Sequence, residues 1–308
     1  MLSFSKSIGV EIGPFGVACV VLAGTQASPR LERVAGRPFA PGVVRVSLRE
    51  ENVLDPQAFS DRLREAHALL LHNGTRLSVT LPDGVGRVLL LDVEGRFKNR
   101  TEGLDIIRWK LKKSMPFDVA DTHLDYQQLR VRENGEMALL VALVSRGVIS
   151  QYEDLIVAAG FAPARMEINA FSLCRTFERR LSLQDDGVLI TFYNNTLGVM
   201  AFAEGIPEFL RFKELPGITP LDRRVYMEIN NSLLVYRERF PERTVQHVAC
   251  IAPFDVAADF CDMLAEASGC VPALFEAKAA VKPSDTAPAD QESLFPYTAA
   301  IGAALRNL

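Results

Sequence analysis

Two stretches of the sequence, which begin about 180 residues apart, predict the same order of strand, turn, strand, turn and strand. In the first stretch, apolar residues alternate with small or polar ones from Ser7 to Glu11, which is the two-residue period of a β-strand. Two further strands are predicted at Val17–Leu22 and Leu31–Arg37. The second stretch repeats this order, with strands predicted at 188–192, 197–202 and 207–212. Because the residues of the two stretches hardly match, the repeat is one of architecture, and it predicts a duplicated α/β fold with a cleft between its halves.

The periodicity of apolar residues predicts further helices and strands between and after these stretches. Helices are predicted at 55–71, 104–114, 150–160, 169–181, 221–239, 256–267 and 295–308, and strands at 76–81, 86–91, 123–131, 136–144, 245–251 and 271–275. Asp55 is a suitable N-cap for the first helix, because Pro56 follows it at the first helical position. The segment Lys278–Gln291 is rich in Ala, Pro, Asp and Ser and predicts a mobile loop.

The composition excludes several classes of protein. A chain of 308 residues with 48% hydrophobic and 23% charged residues is typical of a soluble globular protein of more than one domain. A formal net charge of −4 argues against a dedicated nucleic-acid binder, which usually carries a basic excess. No run of about 18 apolar residues predicts a membrane span, and Met1–Lys6 lacks the features of a signal peptide. We therefore expect the protein in the cytoplasm.

The cysteines and histidines do not predict a metal site. The five cysteines show no Cys-x-x-Cys spacing, and buried free thiols in a reducing compartment explain them. The four histidines show no zinc-type pairing with cysteines or acidic residues.

Glu11-Ile12-Gly13, at the end of the first predicted strand, is a candidate phosphate-binding turn. Such a turn offers backbone N–H groups to a phosphate, its glycine lets the backbone approach, and the acid can hold Mg²⁺ through water. An acidic residue and a glycine also occur together in hairpin turns that bind nothing. Alone, this motif does not decide between the two.

Several segments, taken in order, resemble the PilM family, the FtsA-like members of the actin superfamily in type IV pilus assembly. Ser7–Gly13 is similar to the opening phosphate segment of that family. The segments similar to its later features are Ile107-Arg108-Trp109-Lys110 with Met115-Pro116-Phe117 and Leu124-Asp125-Tyr126, Gly160–Pro163 with Glu167–Ala170, and Ala300–Arg306. The resemblance covers nearly the whole chain, and an unrelated α/β protein is the alternative.

The resemblance implies a fold class and a division into subdomains. The fold class is α/β: an actin-like (ribonuclease H-like) duplicated fold with an inserted α+β subdomain and a reduced insertion in the second half. The first actin-like subdomain is expected at 1–37, 147–186 and 294–308. The inserted subdomain is expected at 38–146, and the second actin-like subdomain at 187–293.

The resemblance also implies a partner and a location. PilM proteins lie at the cytoplasmic face of the inner membrane and bind the short N-terminal tail of the membrane protein PilN. The cytoplasmic part of the secretion protein GspL has the same ancestry. We therefore expect a PilN-like tail and other pilus or secretion assembly proteins as partners, with membrane association only through them.

The first phosphate loop departs from the family pattern. Glu11 and Gly13 remain as candidate cofactor-binding residues. The small polar residues that usually follow the glycine are replaced by Pro14-Phe15-Gly16, and proline removes an N–H donor. The family's lysine on the second strand corresponds to Ala18, so a positive charge that could meet a phosphate is lost.

The other nucleotide contacts depart further. Where the second phosphate loop reads Asp-x-Gly, this chain has Thr191-Phe192-Tyr193, and where a run of glycines forms the adenine-side turn, it has Ala252-Pro253-Phe254. The subdomain that precedes the long helix of the second half shrinks to about eight residues, Pro216–Arg223.

These departures predict a scaffold with a degenerate nucleotide site, a pseudo-ATPase without cofactor or metal. Phosphoryl transfer depends on positioning and on charge stabilisation, and the glycine-dependent contacts for both are altered. The alternative is an active PilM-type ATPase, whose ATP and Mg²⁺ gate partner binding through Glu11 and Gly13. A sugar or acetate kinase of the wider superfamily needs a catalytic carboxylate and the second phosphate loop, neither of which can be placed.

Overall fold

The computed structural model of the chain describes residues 6–115, 117–182 and 186–308. The expectation for Met1–Ser5, and Pro116 of the Met115-Pro116-Phe117 resemblance, concern residues outside these ranges. The described strands are β1 (Lys6–Ile12), β2 (Gly16–Thr25), β3 (Ser28–Pro38), β4 (Arg76–Leu81), β5 (Gly86–Val93), β6 (Thr122–Val131), β7 (Met137–Ser145), β8 (Ala162–Ile168), β9 (Gly187–Tyr193), β10 (Thr196–Ala203), β11 (Ile206–Glu214), β12 (Val248–Ile251), β13 (Ala273–Leu274) and β14 (Lys282–Pro283). The described helices are α1 (Pro56–Leu69), α2 (Arg100–Leu111), α3 (Arg146–Ala158), α4 (Asn169–Thr176), α5 (Glu178–Leu181), α6 (Arg223–Arg239), α7 (Ala257–Ser268), α8 (Gln291–Leu294) and α9 (Thr298–Leu305).

Two sheets repeat the same strand order. The first has the order β14-β3-β2-β1-β4-β8, and the second has the order β11-β10-β9-β12-β13. In each sheet the antiparallel meander is extended by two parallel strands, so that β4 lies beside β1 as β12 lies beside β9. The connecting helices correspond as well. In the first half, α1 precedes β4 and α3 precedes β8; in the second half, α6 precedes β12 and α7 precedes β13. The duplication predicted from the sequence is therefore present in the topology.

The first helix forms as its sequence predicts. The Asp55 side chain accepts a hydrogen bond of 3.0 Å from the Ala58 backbone N–H, and Pro56 occupies the first turn. Its apolar residues recur at helical spacing, and Phe59, Leu63 and Ala66 are fully buried in the core on the first sheet. Capping and amphipathic spacing together fix this helix.

The inserted subdomain lies between β4 and α3. It consists of the sheet β5-β7-β6 and the helix α2, around a core that includes Ile107, Leu139 and Val141. The inserted subdomain is predicted to begin at residue 38. In the structure, α1 packs on the first sheet and β4 lies within it, where it pairs with both β1 and β8. Between β4 and β5, a 3₁₀ turn at Asp83–Val85 carries the chain from the first sheet to the sheet of the inserted subdomain.

The segment Lys278–Gln291, predicted to be a mobile loop in the second subdomain, packs on the first sheet. Its strand β14 pairs in parallel with β3, and the Ser284 N–H donates to the Leu31 carbonyl at 2.8 Å. Val281 and Gln291 are buried. The composition suggests disorder, but a few apolar side chains and the unpaired edge of β3 are sufficient to hold the segment.

The closing helix α9 approaches its neighbours backbone to backbone. All its residues are buried. A β-carbon at Gly9 would lie 2.0 Å from the Ala300 carbonyl oxygen, and one at Gly302 would lie 1.8 Å from the Ser172 carbonyl oxygen. Glycine at these two positions therefore allows α9 to lie against β1 and α4.

The second half carries a short connection where the resemblance implies a reduced insertion. Residues 215–222 join β11 directly to α6, and Asp222 caps that helix. No helix in the described ranges is long and apolar enough to cross a membrane.

Candidate functional site

The candidate site lies where the first turn of each half comes together. Glu11 stands near the end of β1, and Tyr193 ends the equivalent strand β9. The turn after β9 contains Asn194 and Asn195, whose φ angles of 46° and 63° belong to the left-handed region. Two such residues form the tight two-residue turn of a hairpin, for which asparagine is well suited.

Side chains from both halves meet at the carboxyl group of Glu11, which is buried. The Tyr193 hydroxyl donates to Glu11 Oε2 at 2.7 Å. The Asn194 side-chain amide donates to Glu11 Oε1 at 2.5 Å. These two contacts join the β1 end of the first half directly to the β9 turn of the second half.

A third element supports the same carboxyl group. Asn169, the first residue of α4, donates from its side-chain amide to Glu11 Oε1 at 3.3 Å. The Thr80 hydroxyl on β4 donates to Asn169 Oδ1 at 2.9 Å, which orients that amide. Both oxygens of Glu11 therefore accept hydrogen bonds from neutral side chains.

Burial makes Glu11 a weak acid. Desolvation raises its pKa from 4.5 to about 8, and the neighbouring Asp83 raises it too. The hydrogen bonds from Tyr193, Asn169 and Asn194 lower the pKa but do not outweigh the desolvation. Ala18 is the cross-strand neighbour of Glu11, at the position where the resemblance implies a lysine, and it supplies no charge. At neutral pH most Glu11 side chains are therefore protonated.

Asp83 is a second acidic residue of this region. Its Oδ1 accepts a hydrogen bond of 2.8 Å from the Ala170 backbone N–H in the first turn of α4. Burial raises its pKa to about 7, with Glu214 of β11 contributing, while the bond from Ala170 lowers it. Asp83 therefore adds a further carboxyl group that binds its proton more tightly than usual.

A cleft of about 340 Å³ lies beside Glu11. Its lining includes Ala18, Arg37, Asn194 and Tyr297. Phe15, in the turn after Gly13, also lines it and is 58% exposed. Arg37 supplies a positive charge, but its guanidinium lies 3.4 Å from the Glu65 carboxylate on α1.

The first turn has little to offer a phosphate. The Gly13 N–H donates to the Gly16 carbonyl at 2.9 Å and is therefore not free. Pro14 has no N–H. The Asn194 amide nitrogen lies 3.2 Å from the position that a β-carbon on Gly13 would take. This amide packs over the glycine, so a phosphate that approached the backbone there, as in a phosphate loop, would first have to displace it.

The third turn, after β12, contributes no residue to the lining of the cleft beside Glu11. Ala252 is buried, and Pro253 leads into a 3₁₀ turn that begins at Phe254. The sequence predicts a strand and turn here, and the strand β12 is present but shorter than predicted. No backbone made flexible by glycine faces the cleft at this turn.

The carboxyl oxygens of Glu11 are bound by side chains from both halves. Tyr193 and Asn194 occupy the space between the two hairpin turns and bind the carboxyl group that a metal would need. Within the described ranges, no three His, Cys, Asp or Glu side chains lie close enough to hold a metal ion. The geometry makes a buried, hydrogen-bonded junction between the halves.

Part of this site is predictable from the sequence. Glu11 and Gly13 are the predicted residues; Glu11 binds Tyr193 and Asn194, and Gly13 lies beside Asn194. Tyr193 is predicted only as a departure from the second phosphate loop, and the hydrogen bond from its hydroxyl to Glu11 is not predicted. Asn169 and Asp83 were missed, since each comes from a distant element. The sequence does predict the turn between the strands 188–192 and 197–202, in which Asn194 and Asn195 lie.

Comparison with known proteins supports the fold. A chain of the PilM-PilN type IV pilus biogenesis complex is similar, with a TM-score of 0.81, 18% identity and 98% of each chain covered. The ethanolamine utilization protein EutJ from Carboxydothermus hydrogenoformans has a TM-score of 0.51 and 14% identity, over 98% of this chain and 89% of EutJ. The cytoplasmic domain of EpsL, an inner-membrane component of the type II secretion system of Vibrio cholerae, has a TM-score of 0.51 and 12% identity, over 96% of this chain and 94% of that domain. No protein-family model and no curated protein matches the sequence.

At these identities the comparisons bear on the fold alone. The actin-like α/β fold predicted from the sequence is confirmed. The resemblance to PilM is confirmed as a similarity of structure along nearly the full length of both chains.

Proposed function

We propose that this chain is an actin-like scaffold of a type IV pilus or type II secretion assembly, which works without binding or hydrolysing a nucleotide. The observation that carries the proposal is the junction at Glu11, which lies in a fold shared along 98% of its length with a chain of the PilM-PilN complex. The similarity of the fold supports the role in assembly. The junction at Glu11 supports the independence of nucleotide.

The junction replaces a ligand as the link between the halves. In a nucleotide-dependent protein of this shape, a ligand in the cleft contacts both halves and favours one relative position. Here Glu11 of the first half and Tyr193 and Asn194 of the second make that link themselves. The link is always present, so the relative position of the halves needs no ligand to maintain it.

The proposed partner is the short cytoplasmic tail of a PilN-like inner-membrane protein. The similar chain belongs to a complex of PilM with PilN, and the EpsL domain belongs to an inner-membrane component of a secretion system. By analogy, this chain lies at the cytoplasmic face of the inner membrane and also contacts other assembly proteins.

The test is a binding measurement with a synthetic peptide. The peptide has the sequence of the cytoplasmic tail of a PilN-like protein encoded beside this chain, and a scrambled peptide is the control. We expect binding of the native tail alone, with the same affinity in the presence and absence of Mg²⁺-ATP. Equal binding of both peptides, or of neither, contradicts the partner assignment.

A nucleotide-gated ATPase is the second candidate. The observation in its favour is the cleft of about 340 Å³ beside the two retained residues, Glu11 and Gly13. If the protein is such an ATPase, Mg²⁺-ATP raises the melting temperature of the native protein, and Glu11→Ala abolishes the increase. The absence of a thermal shift with Mg²⁺-ATP in the native protein excludes this candidate.

A further inference from the structure

One segment of this acidic protein is strongly basic. Between residues 96 and 113, seven Lys and Arg residues stand against two acidic residues, although the whole chain has a formal net charge of −4. The segment comprises α2 and its flanking residues in the inserted subdomain. The basic end of α2, defined as Arg108, Trp109, Lys110, Lys112 and Lys113, contains four of the seven cations.

Trp109 at this end is 77% exposed, and it is the sole tryptophan of the chain. The helix packs on its subdomain through another face, where Ile107 and Leu111 are buried. Gly103 lies closely against Tyr126 on that inner side. Core packing therefore does not explain the large apolar ring at position 109, which points away from the subdomain.

The lysines around Trp109 are largely available. Lys112 and Lys113 are exposed and have no ion-pair partner among the residues that the structure describes. Arg108 lies 3.4 Å from the carboxylate of Asp105, and Lys110 donates to the Asp92 carbonyl. The partial negative charge at a helix C-terminus favours nearby cations. That effect accounts for lysines here but not for an exposed tryptophan among them.

We propose that the basic end of α2 binds an anionic lipid surface directly. Tryptophan prefers the headgroup region of a bilayer, where its ring is partly buried and its N–H stays hydrated. Lysine side chains beside it reach the lipid phosphates. Each lysine near an anionic leaflet contributes roughly fivefold in affinity. Lys112 and Lys113 supply this attraction, and Trp109 inserts.

The shape of the surface favours a membrane over an acidic peptide. Neither the cleft beside Glu11 nor the smaller one around Tyr236 and Arg243 includes a residue of the basic end of α2. An extended peptide usually binds in a groove. A helix end with an exposed ring and flexible cationic side chains is better suited to the broad surface of a bilayer. The contact goes beyond the proposed scaffold role, since it attaches the protein to the bilayer without a partner.

The test uses the fluorescence of Trp109 in the full-length protein. Vesicles of phosphatidylcholine alone are compared with vesicles that also contain phosphatidylglycerol, at about 50 mM and about 500 mM salt. We expect a blue shift and co-flotation with the anionic vesicles at low salt, and neither at high salt or with the neutral vesicles. Because the chain has a single tryptophan, the shift reports on this position alone.

Two matched variants locate the contact. Lys112→Gln/Lys113→Gln should lower the affinity for anionic vesicles roughly 30-fold. The control variant, Arg223→Gln/Lys282→Gln, loses the same charge at exposed residues outside the inserted subdomain. It should bind anionic vesicles with the affinity of the native protein. Melting curves check that both variants fold. Equal affinity of the two variants, or no blue shift on anionic vesicles, overturns the proposal. Binding to poly-glutamate but not to vesicles assigns the surface to an acidic protein and overturns it as well.

Discussion

The Tyr193 hydroxyl lies 2.7 Å from Glu11 Oε2 and donates a hydrogen bond to it across 182 residues of sequence. Glu11 lies near the end of the first strand of one meander, and Tyr193 ends the first strand of the other. Their contact therefore joins the two copies of the repeat at the point where the resemblance implies a nucleotide phosphate. The junction and the packing around it can be tested by substitution and by titration.

Replacement of Glu11 by glutamine should remove a loss of stability that the native protein shows as the pH rises. The pKa of Glu11 is about 8 in the folded protein and near 4.5 in the unfolded chain. Between these values the unfolded chain has lost the proton and the folded protein keeps it, so the stability of the native protein falls as pH increases. Glutamine resembles the protonated acid and removes this penalty. The stability gap between Glu11→Gln and the native protein should widen by roughly 3 kcal/mol from pH 5 to pH 8.

Urea unfolding at both pH values measures the gap. Glu242→Gln changes an exposed glutamate and serves as the control, with no expected change of the gap with pH. If Glu11→Gln follows the same pH profile as the native protein, Glu11 is not buried as a neutral acid.

Tyr193→Phe should weaken the junction without disturbing the packing of the ring. The ring of Tyr193 packs edge-on against Phe295, at 5.5 Å between centroids, and phenylalanine keeps this contact. The loss of the hydroxyl leaves Glu11 Oε2 without its hydrogen-bond partner inside the protein, so the free energy of unfolding should fall by about 1–3 kcal/mol. Tyr226→Phe is the matched control, because the Tyr226 hydroxyl binds Glu266 at the exposed surface. Equal losses in the two variants, measured by urea unfolding, argue against a special role for the junction.

Gly302→Ala should prevent α9 from closing on α4. The new methyl group would lie 1.8 Å from the Ser172 carbonyl oxygen, and neither backbone can move without the other elements of the core. We expect a loss of more than about 3 kcal/mol of stability, or a failure to fold. Gly147→Ala in α3 adds the same methyl where the nearest atom is Ser145 Oγ at 3.8 Å, so it should be neutral or slightly stabilising. Thermal unfolding of the two variants compares them, and similar melting temperatures contradict the close packing.

The sequence predicts the strands of both meanders and the capped helix α1 because their signals are local. Alternation, helical spacing and the Asp55-Pro56 pair each act within a few residues. The assignment of β4 to a sheet depends on its partners β1 and β8, which lie far away in sequence, so local signals do not place it. The same limit applies to the site. Glu11 and Gly13 stand in a recognisable turn, whereas Asn169 and Asp83 reach this region only through the folded chain.

Isothermal titration calorimetry of the native protein with Mg²⁺-ATP tests the central claim most directly. We expect no measurable heat of binding, because Tyr193 and Asn194 occupy the space between the hairpin turns and Glu11 is bound to both. A titration of Tyr193→Gly under the same conditions shows whether an open turn restores affinity. Binding of Mg²⁺-ATP to the native protein with micromolar affinity would contradict the claim that the junction has replaced the nucleotide.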